Sequence, residues 1–292
     1  MELRQLEYFQ MVCQLNSISK AAEQLHIAQP SVTIAIQKLE EELGIQLFDR
    51  SQRQIALTVA GHVFSERVNE ILNRVGDSVS EMKDLRLLQQ GLITIGLPPM
   101  IGLSLFPTIF AQFQKQYPQF KITAIEGGSV TIQNLVEQGK IDIGFLTKTD
   151  IPPFLDTIPI TKGQLNVCLH PGHPLSQLAS IPFTQLQDQP FILLKKNSFH
   201  RQIILNECKK YQFTPRIVFS SSQVETIISL VELEVGISFL FDVIARRHST
   251  IHSLPLTNPI HYQITLTWNR NRYLSNASKV FIDFMTSVYS RT

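Results

Sequence analysis

Residues 17–44 contain two short helical patterns separated by a break, and this arrangement constrains the N-terminal fold more than any other feature of the sequence. Ser19 stands before the segment Lys20-Ala21-Ala22-Glu23, so we expect a short helix with Ser19 as its N-cap. Pro30 suits the first position of the next helix, where its missing N–H costs nothing. Gly44 is well suited to end that helix.

The small side chains of Ala21 and Ala22 would let these two helices cross closely, and an apolar pattern over residues 3–15 predicts another helix before them. The last of the three helices places uncharged or basic side chains opposite its apolar stripe, and such groups contact base edges and phosphates. These residues are Gln29, Ser31, Thr33, Gln37 and Lys38. A plain three-helix unit with a solvated polar face remains an alternative, because helix-turn-helix geometry also occurs in proteins that do not bind DNA.

Residues 47–61 alternate apolar and polar side chains on both sides of a Ser-Gln turn, which predicts a small hairpin, or wing. The wing carries Arg50 and Arg53 with no acid between them. Residues 1–58 hold five basic and seven acidic side chains, so their net charge does not favour DNA. DNA binding would therefore depend on segregation, with acids at the far end of the third helix and cations at the wing.

Residues 1–61 resemble the winged helix-turn-helix of the LysR-type transcriptional regulators, through the segments "SISKAAEQLHIAQPSVT", "LEEELGIQLFDR" and "RQIALTVAG". The spacing of these motifs is highly specific, and the resemblance continues over the whole chain. It implies that the QPS segment opens the recognition helix and that the wing arginines contact the minor groove or the backbone. The DNA-binding residues implied by position, with Lys38 from the same face, are Gln29, Pro30, Ser31, Thr33, Gln37, Lys38, Arg50 and Arg53. Ala28 and Ile34 depart from the usual residues of the family, which are Ser and a basic residue or Gln. This departure would shift the bases that are read or leave the third helix more dependent on Gln29 and Thr33.

Residues 59–90 contain no proline and predict one long helix. Apolar residues recur about every 3.5 residues along it, at Phe64, Val68, Ile71, Val75, Val79, Met82 and Leu85. A long helix with so narrow an apolar seam needs a partner. Packing against its own domain is one alternative, and the family resemblance favours a linker helix that forms a dimer.

From Gly91 onwards strand patterns alternate with helical patterns, which predicts a parallel α/β sheet. The resemblance implies an effector domain similar in fold to periplasmic solute-binding proteins, with two α/β lobes. We therefore expect an α/β chain overall, with a winged helix-turn-helix over residues 1–58, a linker and dimerisation helix over 59–90 and an effector-binding domain over 91–292. Lobe I would comprise about 91–161 and 267–292, and lobe II about 162–266.

Ligands of such sheets bind at the carboxyl ends of strands and at helix N-termini. The candidate effector-binding residues at these places are Pro99, Met100, Ser129, Thr147, Lys148, Ser198, Phe199, His200 and Ser221. Hydroxyls, free amides and a few cations there, Lys148, Lys195, Lys196 and Arg201, favour an anionic metabolite. Each residue could instead be an ordinary cap or strand-end residue. Pro98-Pro99-Met100 lacks the hydroxyl that many family members place in this loop, and Phe241 stands where many have proline.

Other classes of protein are less compatible with the sequence. Hydrophobic residues make up 43% of the chain and charged residues 17%, so it can bury a core, and the net charge of +2 indicates no partner. Neither a signal peptide nor a membrane-spanning pattern is present, so we expect a cytoplasmic protein without a membrane partner. Cys13, Cys168 and Cys208 are far apart, which predicts buried, reduced thiols, and "HPGHP" (170–174) predicts a turn, so no cofactor or metal is expected.

An enzyme or a transport protein is a competing hypothesis. Ser129 and Ser198 lack the GxSxG context, and "EGGSV" does not match a phosphate-binding loop. A solute-binding protein for transport would need a signal peptide and would leave residues 1–90 unexplained. The resemblance therefore implies a regulator that is not an enzyme, binds the dyad half-sites of a promoter as a homodimer or homotetramer, and responds to a small molecule.

Overall fold

The computed structural model describes residues 1–49, 55–86, 91–147 and 151–289. The chain divides into two compact units, Met1–Lys83 and Asp84–Thr292. Each unit contains its own hydrophobic core. In the described ranges, no helix is long and apolar enough to cross a membrane.

The first unit contains three short helices and a two-stranded antiparallel hairpin, followed by a long helix that extends to the start of the second unit. Its elements are α1 (Leu3–Leu15), α2 (Ile18–Gln24), α3 (Gln29–Leu43), β1 (Phe48–Asp49), β2 (Ala56–Leu57) and α4 (Val59–Arg86). Ala21 and Ala22 are buried where α2 meets α3, together with Val32, Ile36 and Leu39 of the α3 stripe. Small side chains at the contact therefore allow the close packing that the sequence predicts.

The N-cap of α2 is Ser17, and the prediction of Ser19 is wrong. The Ser17 hydroxyl accepts a hydrogen bond from the Lys20 backbone N–H at 3.3 Å, and Ser17 has extended backbone angles. Asn16 adopts a left-handed conformation with φ of 48° at the end of α1. This tight reversal starts α2 at Ile18, so that Ser19 already lies inside the helix.

Two glycines and the side chain of Thr58 fix the end of α3 and the start of α4. Gly44 ends α3 with φ of +66°, a conformation that glycine adopts without strain. The Thr58 hydroxyl donates to the Gln46 carbonyl at 2.8 Å and accepts from the Gly61 N–H at 2.9 Å. A Cβ atom at Gly61 would lie 2.0 Å from the Leu47 carbonyl oxygen, so the LTxAG motif lets α4 start directly against the wing.

The second unit contains a six-stranded sheet in the order β4-β3-β5-β10-β6-β9 and a parallel pair, β7-β8. The strands are β3 (Leu92–Leu97), β4 (Lys121–Glu126), β5 (Ile143–Leu146), β6 (Leu155–Leu169), β7 (Pro190–Leu194), β8 (Arg216–Ser221), β9 (Ser238–Phe241) and β10 (His252–Asn269). The helices are α5 (Pro99–Ser104), α6 (Phe106–Gln116), α7 (Ser129–Glu137), α8 (Phe199–Lys210), α9 (Val224–Glu232), α10 (Asp242–Ala245) and α11 (Asn276–Tyr289). A bridge between Phe191 and Ile237 joins β7 to the segment that leads into β9.

Two long strands connect the two halves of this unit. The start of β6 pairs with the end of β10, which also pairs with β5, whereas the end of β6 pairs with β9. We use lobe I for the half with β3, β4 and β5, and lobe II for the half with β7, β8 and β9. The predicted crossings, 160–164 and 265–268, lie within β6 and β10. The architecture of both units confirms the predicted α/β fold class. The expectation of a parallel sheet holds only in part, because β10 pairs antiparallel with β5 and β6, and β6 pairs antiparallel with β9.

Candidate functional site

The outward face of α3 presents polar side chains to solvent. The predicted residues Gln29, Pro30, Ser31, Gln37 and Lys38 are all exposed. Thr33 is half-buried, and its hydroxyl donates to the Gln29 carbonyl at 3.2 Å. The structure therefore brings these six predicted residues together on one helix.

The structure shows the environment of Ala28 and Ile34, the two residues that depart from the family pattern. Ala28 is the N-cap of α3 and makes no side-chain capping bond, because it has no side-chain oxygen. Ile34 is 51% exposed and lies among the polar residues of α3, where an apolar side chain has no core to enter. The methyl group of thymine is the base feature that such a side chain can contact.

The acidic end of α3 is engaged in contacts within the unit. Glu40 Oε1 accepts hydrogen bonds from the backbone N–H groups of Leu47 at 2.8 Å and Phe48 at 3.2 Å. Glu42 pairs with the N-terminal amino group of Met1 at 2.6 Å. The Glu40 carboxylate therefore fixes the first strand of the wing, and the Glu42 carboxylate fixes the N-terminus of the chain. Both acids lie at the C-terminal end of α3. The wing residues Arg50 and Arg53 lie outside the described residues.

The apolar seam of α4 divides into two parts with different roles. Phe64 and Val68 pack into the core of the first unit. From there towards the C-terminal end of α4 the seam is exposed, with Val75 at 38% and Val79 at 49%. Ile71 and Met82 are exposed too, and the side chain of Leu85 lies outside the described set. Only the first part of the seam therefore packs into the core of the first unit, and the described residues of the rest face solvent.

On lobe I, the predicted effector residues cluster where strands end and helices begin. The hydroxyls of Ser129, at the start of α7, and Thr147, after β5, lie 3.1 Å apart and are both buried. Met100 is buried in α5, and Pro99 beside it is half-buried. Lys148 lies outside the described residues. Ser129 and Thr147 are thus brought together, although 18 positions separate them.

On lobe II, the predicted residues surround the N-terminus of α8. Ser198 is its N-cap and is buried, but its side chain makes no capping bond. His200 is 5% exposed, and neither ring nitrogen makes a hydrogen bond of good geometry with the described residues, although the Phe239 backbone lies close enough to affect the ring. Burial lowers the pKa of His200 to about 4, with the nearby Phe239 backbone opposing this shift, so the ring is neutral near pH 7. Phe199 is half-buried, and the Ser221 hydroxyl accepts from the Gln223 N–H at 3.0 Å.

The two lobes touch directly through Asn197, a residue that the sequence analysis did not select. The Asn197 carbonyl accepts from the Val130 N–H at 3.3 Å, and its side-chain amide donates to the Thr131 hydroxyl at 3.0 Å. A Cβ atom at Gly128 would lie 2.1 Å from the Asn197 carbonyl oxygen. The bare glycine therefore permits close contact between the start of α7 and the segment before α8.

A cavity of about 500 Å³ opens between the lobes. The end of β3, helices α5 and α6 and the end of β4 line it from lobe I, and residues 222–225 line it from lobe II. Pro99 is the predicted effector residue on its wall. Of the other effector candidates that the structure describes, five are buried: Met100, Ser129, Thr147, Ser198 and His200.

The features considered for catalysis or metal binding have local roles. Cys168 and Cys208 are buried and free, and burial raises the pKa of each thiol to about 12. In the 170–174 turn, His173 Nδ1 accepts from the Leu175 N–H at 3.1 Å. His170 Nδ1 lies 2.9 Å from Glu234. Within the described ranges, no group of three or more His, Cys, Asp or Glu residues could hold a metal ion.

Comparisons with known proteins cover both units. The family model described as "Bacterial regulatory helix-turn-helix protein, lysR family" matches residues 3–62. The model described as "LysR substrate binding domain" matches residues 87–290. The uncharacterized HTH-type transcriptional regulator YwbI of Bacillus subtilis (strain 168) is 34% identical over 290 residues, which cover 98% of this chain and 96% of the relative.

Solved structures share the architecture of both units. Full-length BenM is 27% identical with a TM-score of 0.57, covering 100% of this chain and 97% of BenM. Full-length CbnR complexed with its target DNA is 21% identical with a TM-score of 0.60, covering 98% of this chain and 99% of CbnR, a likeness of fold. The exposed polar helix, the two-lobed domain and these matches converge: the chain belongs to the LysR family and is a DNA-binding transcriptional regulator with a domain for a small-molecule effector.

Proposed function

We propose that α3 is the recognition helix and that its polar face enters the major groove. The observation that carries this proposal is the division of α3 into a stripe packed against α2 and an opposite face that is exposed and polar. Gln29 would pair with a base edge, Ile34 would contact a thymine methyl, and Lys38 would contact phosphate. The remaining members of the proposed interface are Pro30, Ser31, Thr33 and Gln37 from α3, and Arg50 and Arg53 from the wing segment.

We propose further that the exposed part of the α4 seam pairs with a second copy of the chain. One helix-turn-helix contacts a short half-site weakly, whereas a dimer contacts two half-sites about 34 Å apart or at multiples of this distance. The proposed division into a DNA-binding domain (1–58), a linker (59–90) and an effector domain (91–292) follows from this arrangement. A homotetramer would join two such dimers.

The effector is proposed to bind between lobes I and II, near Ser129, Thr147, Ser198 and His200. The other residues of the proposed site are Pro99, Met100, Lys148, Phe199 and Ser221. A ligand can change transcription only if it binds one arrangement of the lobes better than another. Lobe rotation would then change how dimers sit in the tetramer, and hence the spacing or bend of the DNA.

A regulatory role without catalysis, in the cytoplasm, completes the proposal. The raised pKa values of the Cys168 and Cys208 thiols disfavour the thiolate that a nucleophile needs. The hydroxyl of Ser129 is bonded to Thr147. The curated relative YwbI is named a transcriptional regulator. A transcriptional regulator must share a compartment with the DNA that it binds, which supports the cytoplasm.

Binding to duplex DNA should weaken steeply with salt. Each phosphate neutralised by the protein contributes about −0.9 to the slope of log K against log salt concentration. Arg53→Ala should flatten the slope by about 1 and weaken specific and scrambled DNA alike. Fluorescence anisotropy with the chain's own upstream region, at several salt concentrations, measures both effects. Failure of the wild-type protein to bind that DNA would contradict the proposed interface.

Gln29→Ala should reduce discrimination between the specific site and scrambled DNA by about 1–3 kcal/mol at one base position. The reason is that an amide pairs with a particular base edge, whereas phosphate contacts carry no sequence information. Gln14→Ala, an exposed glutamine on α1, is the matched control and should leave discrimination unchanged. An equal loss of affinity for both DNAs in Gln29→Ala would assign Gln29 to the backbone instead.

A further inference from the structure

The cavity of about 500 Å³ between the lobes has mostly apolar walls. A cavity of this volume suits one small organic molecule, because ligand sites in proteins commonly span about 300–1,000 Å³. Lobe I supplies most of the apolar wall, from the end of β3, from α5 and from α6. The larger apolar residues that line the cavity are Leu97, Pro98, Pro99, Leu103, Phe106 and Val224. The body of a ligand bound here should therefore be apolar.

The charged side chains that line this cavity, among the residues that the structure describes, are both carboxylates. Glu126 is the last residue of β4 on lobe I, and Glu225 lies in the first turn of α9 on lobe II. Both residues are exposed. The nearest charged contact is His248, whose Nε2 lies 3.9 Å from the Glu225 carboxylate, which is too far for a hydrogen bond. The cavity thus presents negative charge from both lobes.

Two helices begin at this cavity, and the start of each is poorly suited to an anion. A helix N-terminus binds anions through its free backbone N–H groups. Pro98 is the N-cap of α5 and Pro99 is its first residue, and proline has no N–H to donate. At the start of α9, the Gln223 N–H is already bonded to the Ser221 hydroxyl, and Glu225 adds a negative charge to the first turn. The usual attraction of helix starts for anions is therefore weakened at both places.

The position of the two carboxylates on different lobes couples their charge to the arrangement of the lobes. Like charges repel, so Glu126 and Glu225 oppose the approach of the lobes across the cavity. A cation between them would replace this repulsion by attraction to both, and the attraction would be strongest when the lobes are near each other. Such a ligand binds one arrangement of the lobes better than another, which is what a regulatory effector requires.

We propose that this cavity binds an organic cation, with a protonated amine between Glu126 and Glu225 and an apolar body against Leu103 and Phe106. This inference rests on the proposed binding of an effector between the lobes. It assigns to the cavity a ligand of opposite charge to the anionic metabolite that the sequence favours. Phe106 also places an aromatic ring in the cavity wall, and the faces of aromatic rings attract cations.

The test is thermal unfolding of the full-length protein with matched compounds that share an apolar body and differ in charge. Phenethylamine, phenethyl alcohol and hydrocinnamate form one set, and hexylamine, hexanol and heptanoate form a second set, all at equal ionic strength. Within each set the amine is a cation near pH 7, the alcohol is neutral and the acid is an anion. Glu126→Gln and Glu225→Gln each remove one charge at nearly constant volume. Asp188→Asn, the same kind of change at an exposed carboxylate just before β7, is the matched control.

We expect at least one amine to raise the Tm of the wild-type protein and of Asp188→Asn, while its matched alcohol and acid raise it much less. Each glutamine variant should lower the apparent affinity for that amine about fivefold, because one charge-assisted contact at a partly exposed site is lost. The double variant should lose more than either single variant. If Glu225→Gln disturbs α9, the comparison with Glu126→Gln decides. No shift from either amine, or equal shifts in the wild type and the double variant, would overturn the inference.

Binding of the wild-type protein to its upstream DNA is measured in parallel, so that failure of the ligand class can be separated from failure of the proposed function. If the acids raise the Tm instead, and the glutamine variants respond as the wild type does, the cation assignment fails while effector binding stands. If the protein binds DNA and no shift depends on the two carboxylates, the regulatory role stands without this ligand class. If DNA binding is absent as well, the proposed function itself fails.

Discussion

Val75→Asp is expected to weaken self-association of the protein by about 100-fold or more, because an uncompensated charge buried at an interface costs about 3–5 kcal/mol. Val75 lies in the part of the α4 seam that the chain leaves exposed, between Ile71 and Val79. The spacing of these residues places them on one face of the helix. A carboxylate there would meet the same carboxylate or an apolar side chain of a second copy.

Sedimentation velocity over a range of concentrations measures the effect of Val75→Asp. Ser80→Asp adds the same charge away from the seam of α4, at an exposed position, and should leave association unchanged. Circular dichroism should show that both variants keep their helices, since Val75 contributes little to the core of the first unit. An unchanged oligomer in Val75→Asp would mean that another surface of the chain forms the dimer.

Gly128→Ala is expected to separate the two lobes at their direct contact. The added Cβ would lie 2.1 Å from the carbonyl oxygen of Asn197 and 2.5 Å from its carbonyl carbon. Both are backbone atoms, so a side-chain rotation does not relieve the clash. The φ of Gly128, −64°, is one that alanine adopts readily, so lobe I should fold normally.

Hydrogen exchange of the full-length protein tests this expectation at Val130, whose N–H donates to the Asn197 carbonyl at 3.3 Å. In Gly128→Ala this amide should exchange at least about tenfold faster, because one hydrogen bond is worth about 0.5–1.5 kcal/mol and the whole contact more. Gly127→Ala is the matched control, since its Cβ would meet side-chain atoms at 3.5 Å and beyond, which is ordinary contact. Equal protection of Val130 in both variants would show that the contact does not limit opening.

The buried face, the exposed face and the end of α3 could be predicted from the spacing of its own residues. The spacing of Val32, Ile36 and Leu39 defines a stripe, and the stripe defines which residues remain outside. The end of the helix at Gly44 is also a local property, because only the backbone of that residue is involved. The helix start is less determined locally: α3 begins at Gln29, so Pro30 occupies its second position, where the N–H also lacks a partner within the helix.

The residues of the effector cleft could be predicted from the sequence only in part, because some of their contacts join positions that are far apart in the chain. Ser129, Thr147, Ser198 and His200 were selected because they follow strands or open helices, which is a property of the fold class. Asn197 was missed, since its importance lies in bonds to Val130 and Thr131, more than 60 positions away in sequence. Arg201 stands among the cations that the sequence places near the cleft, but its burial without a counter-ion in the described part of the chain is a property of the folded lobe.

The sequence by itself determined the helix-turn-helix, the seam of α4 and the α/β class of the second unit, because these depend on periodicity and on motifs between near neighbours. The cap of α2 by Ser17 is also a local feature, which the sequence analysis misplaced by two positions. Tertiary structure alone decided that Glu40 holds the wing and that the first part of the seam is buried. The physical reason is that both outcomes depend on how elements meet in space. A carboxylate partner or a buried face is settled by the free energy of the packed chain, and residues next to one another in sequence do not contain that information.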